Sequence, residues 1–207
     1  MSTPKPQVRS AFATPVLVHF LPVAHEANAD LRPLVLDRMQ ADGAASPSWR
    51  STNDFDSWGG LHAETLCRVL RELADSATST RSGGRVSLPW KISACACVGG
   101  QGETRPFSTR PEAFWSGIYF IDDGYQKSDD EALGGEIELG DPRGAMPAMA
   151  AANLAFRIPG GLTAGTVETI RPQTGMIILH PSWLPRGERR YDGTHQRLTA
   201  EFDLSLP

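Results

Sequence analysis

The sequence predicts a mainly β fold with helices on one face. Helix-type patterns occupy the first part of the chain, and short apolar segments separated by Gly, Pro and Asp occupy the rest. Helices followed by regularly spaced strands are typical of a β-sandwich or jelly roll with a helical layer. The 207 residues, 40% of them hydrophobic, are enough for one domain with a substantial core. We therefore predict a loose polar arm at 1–10 and a single jelly-roll domain over 11–207.

The first part of the chain predicts one strand and two helices. Residues 12–22 form an apolar segment bounded by prolines and predict the first strand. Asp30 predicts the cap of a first helix, whose first turn tolerates Pro33. The second helix has the clearer pattern, because apolar residues recur at i, i+3, i+4 and i+7 from Leu66 to Leu73.

The second part of the chain predicts strands. They fall at 86–98, 116–121, 135–139, 153–158, 166–171, 175–180 and 197–204. Residues 123–134 and 142–152 interrupt this rhythm and are predicted to be loops at the mouth of a barrel.

Composition excludes several classes of function. The formal net charge of −4 offers no basic surface, so a nucleic-acid partner is not expected. No apolar stretch approaches the roughly 20 residues of a spanning helix, and the start lacks a signal-peptide core. We therefore expect a cytoplasmic protein with no membrane partner. Cys67, Cys95 and Cys97 are too few for a disulfide framework or a zinc site and are expected to be buried free thiols.

Two segments carry a resemblance to a known family. Residues 108–120 and 180–186, followed by Arg197, resemble the two metal-bearing stretches of the 2-oxoglutarate and Fe(II)-dependent oxygenases. Residues 134–143 resemble a further segment of that family, and the similarity extends over most of the chain. The resemblance implies a double-stranded β-helix, a cupin-like form of the jelly roll.

The expected iron ligands are missing from these segments. In that family the first stretch reads His-x-His-Pro, the second ends in His, and a downstream Arg binds 2-oxoglutarate. Here Ser108, Arg110 and Arg186 stand at the ligand positions, and Phe120 replaces the second Tyr of a Tyr-Tyr pair. Guanidinium has no lone pair to give, and a serine hydroxyl is a poor ligand. Arg197, eleven residues after Arg186, matches the arginine that binds the carboxylate.

The resemblance therefore implies an oxygenase scaffold that has lost its metal triad and needs no cofactor. The preferred hypothesis is a metal-independent small-molecule enzyme or binder. If Arg110 and Arg186 point inward, they and Arg197 present forked donors to an anionic ligand; if they turn outward, they mark an inactive site. Isomerase-, cyclase- or lyase-type chemistry would then use His180 or Tyr119 for proton transfer.

The hypothesis also names residues that line the pocket, and two alternative functions stand beside it. Ser108, Trp115 and Trp183 lie within the motifs and are expected to line the pocket. A hydrogen-bonded core histidine is the simpler explanation of His180, as a half-buried strand aromatic is of Tyr119. One alternative is an active oxygenase, with Fe(II) and 2-oxoglutarate, whose site is rebuilt around His180 and a carboxylate. The other is a non-catalytic binding or regulatory protein that could form a homodimer.

Overall fold

The computed structural model of the protein consists of two antiparallel sheets and a layer of helices. It describes residues 12–44, 48–144 and 165–207, together with Ala151, Leu154 and Phe156. The predicted arm at 1–10 lies outside the described residues, and so does most of the predicted strand at 153–158. None of the described helices is both long and apolar enough to cross a membrane.

From residue 91 onward the chain passes back and forth between the two sheets. The helices are α1 (Ala24–Ala41), α2 (Phe55–Trp58) and α3 (Gly60–Ala77). The strands are β1 (Leu17–Phe20), β2 (Trp49–Arg50), β3 (Lys91–Gly99), β4 (Arg105–Ser108), β5 (Trp115–Asp122), β6 (Ile137–Gly140), β7 (Val167–Ile170), β8 (Met176–Pro181), β9 (Arg186–Glu188) and β10 (Arg197–Ser205). One sheet has the strand order β1-β8-β5-β10-β3-β2, and the other has the order β4-β9-β6-β7. This arrangement confirms the predicted fold class.

The six-stranded sheet separates two cores. On β5, Trp115, Tyr119 and Ile121 pack in the core shared with the helices. Ile118 and Phe120 pack in the core between the two sheets. Successive side chains of a strand point to opposite faces, so this alternation decides which residues reach the space between the sheets.

The sequence patterns predicted α3 correctly but misplaced the start of α1. Leu66 and Leu70 of α3 are buried, as the apolar stripe predicts. The predicted start of α1 is wrong, because the helix begins at Ala24 and Asp30 lies inside it. Asp30 does not cap the helix; its carboxylate lies 2.9 Å from Nε2 of His62. Pro33 is therefore an interior proline, which removes one backbone hydrogen bond.

Two short strands that the sequence patterns did not predict hold two of the motif residues, Ser108 and Arg186. β4 and β9 pair with each other and place Ser108 opposite Arg186 and Arg105 opposite Glu188. Neither strand has a run of apolar residues, so no periodicity identified it. Pro106 is tolerated because β4 is the edge strand of its sheet.

Candidate functional site

Strand β10 carries a row of polar side chains into the space between the sheets. Its apolar positions from Leu198 to Leu204 belong to the helical core. The alternate positions are Arg197, Thr199, Glu201 and Asp203, and the first three of these are buried. Buried charges need partners, so the contacts of this row define the site.

Glu201 is the centre of a buried ion cluster. Its side chain is 5% exposed and accepts hydrogen bonds or ion pairs from Arg50 at 2.8 Å, Arg186 at 3.3 Å and Arg105. Burial alone would raise the pKa of Glu201, but Arg186, Arg105 and Arg50 together lower it to about 2. The carboxylate is therefore ionised at neutral pH, and it compensates the charge of Arg186.

Glu188 extends this cluster along the interior. Its carboxylate oxygens lie 3.8 Å from Nε of Arg105 and 3.8 Å from Nη1 of Arg197. Arg105 also pairs with Glu103 at 3.3 Å. Positive and negative groups thus alternate in one chain of contacts across β4, β9 and β10, from Arg197 through Glu188, Arg105 and Glu201 to Arg186.

One edge of the Arg197 guanidinium has no partner among the residues that the structure describes. The residue is 6% exposed. Its Cζ lies 5.2 Å from the ring centre of Tyr191, 5.8 Å from that of Phe120 and 6.0 Å from that of Tyr125. Nε and Nη2 are buried and have no hydrogen-bond partner among the described residues. These two groups form the fork that binds a carboxylate bidentately.

Two glycines make room for this guanidinium. A Cβ on Gly135 would lie 2.7 Å from Nη1 of Arg197, and one on Gly124 would lie 2.6 Å from its Cγ. Both glycines have positive φ, which other residues rarely adopt. The loop that precedes β6 and the turn that follows β5 therefore shape a pocket for Arg197.

The structure separates the two arginines of the metal-bearing motifs. Arg186 points inward, where it pairs with Glu201 and donates to the carbonyl of Gly117 at 3.3 Å. Arg110 lies after β4 with its side chain 39% exposed, and its Nη1 donates to Oγ of Ser108 at 3.3 Å. The two arginines therefore do not both line one inward-facing anion pocket, because Arg186 already has a carboxylate partner.

Arg110 also lies at the opposite end of β10 from Arg197. Its Nε is 3.9 Å from Oδ2 of Asp203, which accepts a hydrogen bond from Ser116 through Oδ1. Arg197 and Asp203 are six positions apart on the strand, which is about 20 Å between backbone positions at the usual rise. A small ligand bound to Arg197 does not reach Arg110.

His180 lies on the inner face of β8, opposite Ser116 of β5. Its ring is buried, Nδ1 is 2.9 Å from the carbonyl oxygen of Pro181, and Nε2 has no partner among the described residues. Burial, followed by the charge of Arg186, lowers the pKa of His180 to about 4. The imidazole is therefore neutral at pH 7 with Nδ1 as the donor, which leaves the lone pair on Nε2.

The structure does not bring the three aromatic candidates to this interior. Tyr119 faces the helices and donates to Oδ1 of Asn28 at 2.7 Å. Trp115 also faces the helices and donates to Oγ1 of Thr78 at 2.9 Å. Strand alternation puts both on the outer face of β5, where they pack in the core shared with the helices. Tyr119 is therefore not placed for proton transfer between the sheets, and Trp115 does not line a pocket there. Trp183 is 51% exposed and does not form a buried pocket wall.

The comparisons with known proteins agree with this architecture. A profile of the family described as "Putative 2OG-Fe(II) oxygenase" matches residues 98–203, just over half of the chain. No curated protein matches the sequence.

Solved structures of low sequence identity share the fold. A prolyl-4-hydroxylase from Pseudomonas putida superposes with a TM-score of 0.59 at 15% identity, covering 94% of this chain and 89% of that chain. AviO1 from Streptomyces viridochromogenes gives 0.60 at 15% identity, with 94% and 90% covered. HygX from Streptomyces hygroscopicus, solved with nickel and 2-oxoglutarate bound, gives 0.60 at 14% identity, with 93% and 83% covered. These identities support a common fold, and function must be argued from the site.

Proposed function

The chain belongs to the 2OG-Fe(II) oxygenase family, and from that premise we propose that it binds a small carboxylate anion between its sheets without iron. The observation that carries this proposal is the free Nε and Nη2 edge of Arg197. An unpaired donor edge on a buried cation costs free energy that an anionic partner recovers. Surrounding aromatic rings exclude water, and electrostatic attraction is stronger at such a site.

The donor set at the motif positions does not fit Fe(II), the metal that the family implies. Iron of this class takes imidazole and carboxylate ligands. Ser108, Arg110 and Arg186 supply neither, and Arg186 is already bound to Glu201. Among the described residues, one group of three possible ligand side chains brings its ligand atoms close together. It consists of Cys95, Cys97 and Glu201. His180 belongs to no such group, which counts against a site rebuilt around it.

The distance between Arg197 and His180 favours binding over catalysis. The register of β5, β8 and β10 places His180 beside Ser116, and Ser116 beside Asp203. His180 is thus at the far end of β10 from Arg197. The isomerase-, cyclase- or lyase-type reaction expected above needs a proton-transfer group within hydrogen-bond reach of the ligand. We therefore place the non-catalytic binding or regulatory function ahead of the enzymatic one.

Removal of Arg197 tests the proposed anion site. Arg197→Ala should weaken binding of succinate or 2-oxoglutarate by about 1.5–3 kcal/mol, roughly 10- to 150-fold, because a charge-assisted fork is lost. Arg197→Lys should recover part of this loss, since it restores the charge and not the fork. The measurement is calorimetric titration of metal-free protein with both dicarboxylates. Arg68→Ala on the exposed face of α3 is the matched control, because Arg68 pairs with Glu72 outside the site. An unchanged affinity in Arg197→Ala would contradict the proposal.

A second candidate function is an active oxygenase with Fe(II) and 2-oxoglutarate as cofactors, and the family match favours it. We expect instead that the purified protein holds no stoichiometric iron and shows no 2-oxoglutarate-dependent oxygen uptake. A guanidinium about 4 Å from a divalent cation opposes it by roughly 8 kcal/mol at an effective dielectric of about 20. Metal analysis and an oxygen electrode provide the measurement. Iron near one per chain, with oxygen uptake coupled to succinate formation, would establish the oxygenase instead.

The reverse substitutions extend this test. The triple variant Ser108→His, Arg110→His and Arg186→His should raise Fe(II) affinity, because it supplies imidazole and removes two cations. It need not restore oxygenase activity, since Phe120 also departs from the family pattern. Anaerobic Fe(II) titration measures the affinity. An affinity equal to that of the original chain would show that these positions do not converge on a metal.

A further inference from the structure

Cys95 and Cys97 form a pair of thiols on the inner face of β3. Their Sγ atoms are 4.0 Å apart, and both residues are buried and free. Ala94, Ala96 and Val98, at the alternate positions of the strand, face the helices. The pair therefore lies beside the Glu201 cluster, and the carboxylate-binding proposal does not use it.

The surroundings of this pair are electropositive. Nη1 of Arg50 lies 3.7 Å from Sγ of Cys97, and Arg50 and Arg105 both contact Glu201 next to it. A hydrogen bond from Cys95 lowers the pKa of Cys97, and Arg105 and Arg50 act in the same direction against burial and Glu201. The same hydrogen bond raises the pKa of Cys95. The contacts thus favour a Cys97 thiolate that accepts the S–H of Cys95.

Cys67 provides an internal comparison. It lies on α3, and burial raises its pKa to about 11. A thiol of that pKa is largely un-ionised at neutral pH, so it reacts slowly with oxidants. The three cysteines of the chain are therefore chemically different.

A narrow crevice reaches Cys95, whose Sγ lies 4.0 Å from that of Cys97. Its lining includes Cys95, Arg50, Arg110, Ser116 and Glu201, and its cavity volume is about 10 Å³. That volume is close to what one water molecule needs. The heads of Arg50 and Arg110 are 44% and 39% exposed and border the opening. For a small oxidant to reach Cys97 from this crevice, these two arginine side chains must move aside.

The same atoms are poorly suited to a metal ion. Cys95, Cys97 and Glu201 each bring a ligand atom within 4.8 Å of the others. Both carboxylate oxygens of Glu201, however, already contact arginines. Three guanidiniums beside the group repel a cation and stabilise a thiolate. The arrangement therefore favours thiol chemistry over metal binding.

We propose that Cys95 and Cys97 are a redox-active dithiol that hydrogen peroxide converts to a disulfide. The Cys97 thiolate attacks one peroxide oxygen, the O–O bond breaks, and Cys97 sulfenic acid forms while hydroxide takes up a proton and leaves as water. The Cys95 sulfur then attacks the Cys97 sulfur. The S–S bond forms, the S–O bond breaks, and the thiol proton leaves with the hydroxide as a second water. Two electrons pass from the sulfurs to the peroxide.

The geometry of β3 makes this disulfide easy to reopen. Residues i and i+2 of an extended strand have Cα atoms about 6.6–6.8 Å apart, at the upper end of the range for disulfides. The strand must shorten locally to close the bond. Small thiols should therefore reduce it readily.

Peroxide treatment of the reduced 207-residue chain tests the proposal. Free thiols are counted by alkylation and intact mass after denaturation. We expect two of the three thiols to disappear with loss of two hydrogens per chain, and dithiothreitol to restore them. Cys67→Ala should behave like the original chain. Cys95→Ser should accumulate a sulfenic acid on Cys97 that dimedone traps, because the second thiol is absent.

An electrostatic variant separates a reactive thiolate from a buried thiol. Arg50→Gln should slow the oxidation several-fold at neutral pH, because it removes a cation 3.7 Å from Sγ of Cys97 and so raises the pKa of that thiol. The difference should narrow at alkaline pH, where the thiol ionises without help. If Arg50→Gln were oxidised at the same rate as the original chain at every pH, the assigned role of Arg50 would be overturned.

Three other outcomes would overturn the dithiol itself. The first is retention of all three thiols under peroxide that oxidises glutathione. The second is a disulfide that involves Cys67 or a second chain. The third is stoichiometric Zn(II) binding that protects both Cys95 and Cys97 from alkylation, which would assign the pair to a metal.

Discussion

Glu201→Gln is expected to destabilise the protein by about 3–5 kcal/mol, the usual cost of removing one partner from a buried ion pair. The substitution keeps the size of the side chain and removes its charge. Arg186, Arg105 and Arg50 then lose a common counter-charge, and the Arg186 side chain is only 10% exposed. The buried guanidinium of Arg186 would remain without its carboxylate partner, and such a state is costly in a low-dielectric interior.

Urea unfolding of Glu201→Gln measures this effect. Glu72→Gln, which breaks the exposed pair with Arg68, should change the free energy of unfolding by no more than about 0.5 kcal/mol. Adding Arg186→Gln to Glu201→Gln should recover part of the stability, because one uncompensated cation is removed. Stability of Glu201→Gln equal to that of the original chain would mean that the cluster is solvated.

Stability should also fall by about 3 kcal/mol as the pH falls from 6.5 to 4, because of His180. Burial and Arg186 lower the pKa of His180 to about 4 in the folded protein, from an ordinary value of 6.5. Below pH 6.5 the unfolded chain therefore binds a proton that the folded protein does not. The contribution is complete above pH 6.5 and is lost progressively down to pH 4.

Urea unfolding at a series of pH values tests this dependence. His180→Asn should flatten the slope between pH 6.5 and 4, whereas His25→Gln, at an exposed position of α1, should not. Glu201 affects stability at lower pH values, because its contribution to the free energy of unfolding is lost between about pH 4.5 and 2. A slope that His180→Asn leaves unchanged would contradict the assignment to this imidazole.

Local patterns in the sequence were sufficient for the main elements. The apolar repeat from Leu66 to Leu73 lies within α3, and the predicted strands at 86–98 and 197–204 overlap β3 and β10. These elements bury long periodic stripes, which a sequence shows directly. β4 and β9 escaped prediction because they are short and largely polar. They are strands through pairing with each other, which is a tertiary property.

The candidate site also has features that the sequence determines and features that only the tertiary structure decides. The sequence by itself determined the residue types at positions 108, 110 and 186, and the even spacing from Arg197 to Asp203 that places one face of β10 between the sheets. Only the tertiary structure decided which charges meet. Arg50 and Glu201 are 151 residues apart in sequence, and their contact depends on the pairing of β2, β3 and β10. Side-chain alternation is a local property of a strand, whereas compensation of a buried charge depends on residues that the fold brings together from distant parts of the chain.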